Sequence, residues 1–173
     1  MSSIYGIDPI LDYTFAQQSP KYCLNLNYPP NTVMDVLSKH HPKFAYMVKK
    51  AKLAEQFGDL QFRGTIFAPH EESLDEKTIM NMDINTCRTL VKYHFMVGFF
   101  PKDVLNQSFY QQLQPALASQ QIRAALVQNE KNERFLVLNN EVPILHYGDM
   151  LRNGYIHVIE RLMYYPYLQL NLN

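Results

Sequence analysis

Six histidines, two cysteines and paired carboxylates are the side chains of this 173-residue sequence best suited to hold a metal or move a proton. A protein metal site needs three or four such ligands at short, regular spacing. His40 and His41 are neighbours in a link between helices, and His70, His94, His146 and His157 fall in no ligand-spaced motif. The spacing predicts no metal. Cys23 and Cys87 are 64 positions apart and fit neither a disulfide framework nor a CxxC site. Cys87 lies on the apolar face of a predicted helix with only Arg88 as a cationic neighbour, which suits packing better than a thiolate nucleophile. Glu71-Glu72 and Asp75-Glu76 sit beside Lys77 on a short polar segment, the pattern of a solvated face. No glycine-rich phosphate loop, serine-centred elbow or HExxH occurs. The residues predict a chain that is not an enzyme and takes no cofactor and no small-molecule substrate.

The elements that carry these residues belong to one domain with a sizeable core, since 47% of the chain is hydrophobic and 13% aromatic. Lysine plus arginine (16) cancels aspartate plus glutamate (16), so no net field favours nucleic acid. The longest apolar stretches, such as Phe95 to Phe100, fall far short of the roughly 20 residues a membrane-spanning helix needs, so no membrane insertion is expected. Residues 1–9 carry no basic region, and Asp8, Pro9 and Asp12 interrupt any apolar run of a signal peptide. The single sequon, Asn106-Gln107-Ser108, is what chance supplies at ordinary composition.

Residues 1–31 read as an extended arm: Pro9, Pro20, Pro29 and Pro30 break helices, yet Tyr5, Tyr13, Phe15, Tyr22 and Tyr28 are too apolar for a solvated linker. Within it Tyr22, Leu24, Leu26 and Tyr28 alternate with polar or small residues, the period of a half-buried strand. Thr32 is placed to cap a helix through Lys39. From Pro42, apolar residues at Phe44, Met47, Val48, Ala51, Ala54 and Phe57 recur at helical spacing, with Gly58 as a left-handed stop. Phe62 to Ala68 reads as a buried strand ended by Pro69, followed by an acidic helical segment around Glu71 to Met80. Asp83 or Asn85 caps a helix carrying Cys87, Leu90 and Val91, which runs into the apolar segment His94 to Phe100. Strands follow at Ile122 to Gln128, Arg134 to Leu138, Val142 to Tyr147 and Tyr155 to Met163, separated by Asn- and Gly-rich turns. Helices early and strands late predict an α+β class, with a meander or sandwich of strands.

Three stretches in order resemble the fasciclin-like (FAS1) family. Thr65-Ile66-Phe67-Ala68-Pro69 resembles its first signature box, Tyr93-His94-Phe95 is similar to its Tyr-His motif, and Asn153-Gly154-Tyr155-Ile156-His157-Val158-Ile159-Glu160-Arg161-Leu162 resembles its second box. The resemblance covers about residues 32–166 and implies a FAS1-like fold, a wedge-shaped β-sandwich or meander with several helices packed on one side. The chain then divides into an arm (1–31), the domain (32–166) and a tail (167–173). After Pro69 the family's usual Thr/Ser-Asn/Asp-Glu-Ala-Phe is replaced by His70-Glu71-Glu72-Ser73-Leu74. In family members the Tyr-His region and an Asp-Ile pair before the second box bind cell-surface integrins; the matching positions are Tyr93, His94, Asp149 and Met150.

Inside the signature segments, His94 and His157 are expected as buried, neutral imidazoles bonded to backbone. Asn153-Gly154 suits a tight turn with positive φ, after which Ile156 and Val158 face inward. Phe67, Leu90, Phe95, Ile156, Val158 and Leu162 are expected in one core. The functional expectation is a structural component of a larger assembly whose partners are other protein subunits, with Tyr22, Leu24, Leu26 and Tyr28 of the arm and Leu168, Leu170 and Leu172 of the tail as contact residues. A composition rich in Asn, Tyr, Phe and Lys and free of Trp points to AT-rich coding, as in large DNA viruses where FAS1-like domains are known, and hence to a minor capsid protein in a virion or an intracellular location. The alternative is an extracellular adhesion module that binds a receptor or glycan.

Overall fold

The computed structural model describes residues 28–164. The chain enters at Tyr28, whose ring packs so closely on Gly58 that a β-carbon there would stand 2.7 Å from the ring. Thr32 caps α1 (Val33–His40), its Oγ1 accepting the Asp35 N–H at 3.3 Å. α2 (Pro42–Lys50) starts on proline, whose missing N–H costs nothing at a helix start. It does not run on to Gly58. Lys52 takes a left-handed φ of 64° and the Leu53 N–H returns to the Val48 carbonyl at 3.1 Å, so the chain turns there and α3 (Ala54–Gly58) is a separate helix. Apolar periodicity carries through the break because both helices bury the same side, which is why the sequence reads as one helix.

β1 (Gly64–Pro69) is buried along its whole length. A 3₁₀ turn (Glu71–Ser73) and α4 (Glu76–Asn81, capped by Asp75) replace the single acidic helix expected there. Asp83 caps α5 (Ile84–Tyr93), its carboxylate accepting the Thr86 N–H at 2.7 Å. β2 (Phe95–Val97), α6 (Lys102–Leu105), β3 (Tyr110–Leu113), β4 (Ile122–Gln128), β5 (Arg134–Leu138), β6 (Val142–His146) and β7 (Gly154–Ile159) complete the described elements. Neither α6 nor β3 has a clear pattern in the sequence: each is four residues long, and β3 buries only Leu113.

The strands form one mixed sheet in the order β2-β1-β7-β6-β5-β4-β3. β3 to β7 make the expected antiparallel meander, and its last strand pairs parallel with β1 in the register Ile66 with Ile156 and Phe67 with His157. Because side chains alternate across a strand, β1 and β7 each feed two cores. Ile66, Ala68 and Ile156 pack under the helices with Met34, Phe44, Phe57, Leu90, Phe95 and Leu162. Phe67 and Ile159 face the other way and share a second core with Ile122, Leu136, Leu138, Val142 and Ile144, which means the meander folds back over β1 and β7. The single core expected from the signature residues is thus two, and Val158 is half-buried outside both.

Asn153 ties the layers. Its Oδ1 accepts the Val33 N–H of the first turn of α1 at 2.7 Å, and its Nδ2 donates to the carbonyls of Phe57 and Asp59, both at 2.9 Å. Both polar atoms of a fully buried amide are thereby bonded. Gly154 beside it does not adopt a positive φ, contrary to the turn expected; it opens β7, and a β-carbon there would collide with the Gly64 carbonyl of the parallel neighbour.

Candidate functional site

His94 closes α5. Its backbone N–H bonds the Val91 carbonyl at 2.9 Å, and its Nε2 accepts the Met163 N–H at 2.9 Å, which leaves the proton on Nδ1, donated to the Leu90 carbonyl at 2.7 Å. The ring is fully buried, and that burial pulls its pKa down to about 4. His157 uses the opposite tautomer: Nδ1 accepts the Gly148 N–H at 3.0 Å and Nε2 donates to the Phe100 carbonyl at 2.8 Å. Burial lowers its pKa as well, partly opposed by the Phe100 bond. Both rings are neutral hydrogen-bonding struts, as expected. The Tyr93 hydroxyl is occupied too, donating to the Gln121 carbonyl at 3.2 Å and accepting from Asn139 Nδ2 at 2.8 Å.

The remaining groups with chemical potential are tied down or apart. Burial pushes the Cys87 thiol up to about 12, and its Sγ donates to the Met47 carbonyl at 3.2 Å, so it offers no thiolate. Glu71 is not part of a solvated face. It caps α2 from 27 residues away, its carboxylate accepting the N–H groups of Lys43 at 3.0 Å and Phe44 at 3.2 Å, and burial raises its pKa. Nothing in the spacing signals this cap, because α2 carries no capping side chain of its own. His41 is held down to about 4 by burial, with His40 and His70 adding to the effect. Among the described residues no three His, Cys, Asp or Glu side chains are grouped to hold a metal ion.

Two clefts border the strands of the meander. One of about 640 Å³ is lined by amides and hydroxyls, among them Gln112, Gln121, Asn139 and Tyr93, together with the charged Arg123 and Glu141. Another of about 380 Å³ lies where β5 and β6 splay: their ladder stops at Val137 with Pro143, and the Tyr147 hydroxyl takes the Leu136 N–H at 3.1 Å in place of a strand. Neither brings together a nucleophile and a base.

The surface feature the sequence reading missed is the outer face of β3 to β6. An antiparallel sheet with one face in water ordinarily alternates apolar inside and polar outside. Here the register lines up Tyr110, Ala125, Val137 and Pro143 in one outward row across four strands. Val127 and its partner Phe135 continue it, and Leu145 is 52% exposed on β6. The signal was the unbroken apolar runs Ala124 to Val127 and Phe135 to Leu138, where alternation should have given polar residues.

The positions taken from the resemblance are not brought together. Tyr93 and His94 are buried, whereas Asp149 and Met150 stand exposed on the loop between β6 and β7. Of the arm and tail candidates, Tyr28 packs against the first core; Tyr22, Leu24, Leu26, Leu168, Leu170 and Leu172 lie outside the described residues. No helix among the described residues is long and apolar enough to cross a membrane.

Comparison with known proteins agrees with this architecture. A family model described as Fasciclin domain matches residues 39–166. No curated protein matches the sequence. Eighteen chains of solved structures match it. Among them is a FAS1 domain pair from the insect cell adhesion molecule Fasciclin I, with TM-score 0.56 and 19% identity, covering 72% of this chain and 45% of that one. This chain therefore spans less than half the length of that pair.

Proposed function

Because this chain belongs to the fasciclin domain family, a family of protein-interaction and adhesion modules, we propose that it acts without catalysis as a protein–protein interaction unit inside a larger assembly. One observation carries the reading. The side chains fit for chemistry, His94, His157 and Cys87, spend their polar atoms on backbone groups inside the fold, while apolar side chains are spent outward on the sheet. An apolar row rimmed by charged residues, as this one is, has the pattern of an interaction site. Its partners are other protein subunits, contacted in part through the arm and the tail. The narrower form of this proposal, a minor capsid component of a large DNA virus, draws on composition and family association alone.

A second reading is favoured by the likeness to a domain pair of a cell adhesion molecule: an extracellular module whose exposed Asp149-Met150 loop meets a receptor or glycan. Tyr93 and His94 are buried and would serve that contact only from beneath.

Deleting residues 1–27, which spares Tyr28 and its seat on Gly58, tests the arm. The assembly reading expects a truncated chain that keeps its melting temperature and fails to join the assembly. A truncated chain that folds and assembles normally overturns the arm's role, as does one that loses stability, which would assign the arm to its own domain.

A further inference from the structure

We propose that the outer face of β3 to β6 is a self-association surface, occupied by a second copy of this chain related by a two-fold axis that runs along the strands between β4 and β5. The proposal rests on the assembly reading and names one of its contacts. Isologous two-fold dimers are the commonest assemblies, and two twisted sheets pack face to face with their strands nearly aligned. What singles out a copy of this chain is the order of sizes along the outward row, Tyr110 on β3, Ala125 on β4, Val137 on β5 and Pro143 on β6.

The two-fold turns that order around. β3 of one copy then lies over β6 of the other, and β4 over β5. Tyr110 meets Pro143, and Ala125 meets Val137. In the next row Val127 meets Phe135. Large side chains face small ones, the arrangement that lets facing layers interdigitate at the density of a protein interior.

The charges agree with the same axis. Arg123 on β4 and Glu141 in the turn between β5 and β6 are both exposed and lie at the same end of the sheet, where the Asn139 N–H donates to the Arg123 carbonyl and the Arg123 N–H to Asn139 Oδ1. Placing β4 over β5 brings Arg123 of each copy toward Glu141 of the other. Around the face the exposed rim carries Arg123, Lys131, Arg134 and Lys102 against Glu130, Glu133 and Glu141, a mixed rim with a net charge of only one, so two identical rims repel little.

Sedimentation equilibrium of the purified full chain across roughly 1–200 µM, the range in which modest interfaces dissociate, reads the association. The expected result is a reversible passage from one chain to two. Val137→Lys and Tyr110→Asp, both outside the cores, should each weaken it at least about tenfold with an unchanged circular dichroism spectrum. Arg123→Glu and Glu141→Arg should each weaken it, and the double exchange should restore it. Val97→Lys, at a residue 67% exposed on β2, which is no part of the proposed face, should have no effect. A chain that stays single throughout overturns the proposal, and so does a dimer indifferent to Val137→Lys and to Arg123→Glu. A single-chain protein that still joins its assembly would remove this contact and leave the assembly reading standing.

Discussion

His94 and Met163 are joined across 69 positions of sequence by a single bond, the Met163 N–H to Nε2 at 2.9 Å, which anchors the segment after β7 to the end of α5. The ring's other nitrogen is fixed by the Leu90 carbonyl, so one neutral imidazole bridges a helix terminus and a strand exit. His94→Ala leaves a buried donor and a buried acceptor unmatched as well as a cavity, and should cost about 2–4 kcal/mol in urea unfolding. A chelator should leave the melting temperature of the wild-type chain unchanged, because no ligand bond contributes to this strut.

The buried histidines set the acid response. His94 and His41 are both lowered from 6.5 to about 4, so below pH 6.5 the unfolded chain binds protons that the folded chain refuses. Stability from these groups is full above pH 6.5 and is lost as pH falls toward 4, with a slope of up to about 1.4 kcal/mol per pH unit for each ring. His157 is lowered too and acts in the same direction. Glu71, raised by burial, opposes them: the folded chain binds its proton more readily, which favours folding as pH falls. Urea midpoints at pH 7, 6 and 5 should decline, and the decline should be shallower in His94→Gln.

The split core separates residues that look alike in the signature segments. Phe67→Ala and Leu90→Ala should each cost about 2–5 kcal/mol, since both side chains are fully buried. Val158→Ala should cost less than about 1 kcal/mol, because Val158 is half-exposed and belongs to neither core. Equal losses at all three would contradict the two-core arrangement.

At the entry to β7 two substitutions probe the same junction differently. Asn153→Asp keeps the acceptor for the Val33 N–H but turns the donor for Phe57 and Asp59 into an acceptor facing two carbonyls, and should cost several kcal/mol, roughly the penalty of buried unmatched polar groups. Gly154→Ala must push apart the parallel pair β1 and β7 at the Gly64 carbonyl. Thermal melts of both variants should show losses larger than any exposed-loop substitution, such as Asp149→Asn, produces.

Much of this fold was legible because its strongest signals are local. Asp83, Thr32 and the Asn139-Asn140 turn, with φ of 53° and 61°, sit where capping and hairpin chemistry place them. Strands β4 and β5 match their sequence bounds because apolar runs between Asn-rich turns leave no other assignment. The misses are long-range or steric. Lysine at 52 closes α2 in a conformation that glycine ordinarily takes, and Glu71 caps a helix from beyond a strand; neither leaves a trace at its own position. Gly154 reads as a turn glycine, yet its role is to let a carbonyl approach, which only the β1–β7 pairing reveals. The outer face of the meander escaped for a related reason, since an apolar strand reads as buried whether its second face meets its own core or a partner.

Fractionation of native material tests the central claim most directly. The protein, detected by antibody, should co-sediment with a particle or complex and be cross-linked there to other protein subunits. Recovery as free protein from the surrounding medium, bound to cell surfaces through the Asp149-Met150 loop and released by its substitution, would contradict the assembly reading.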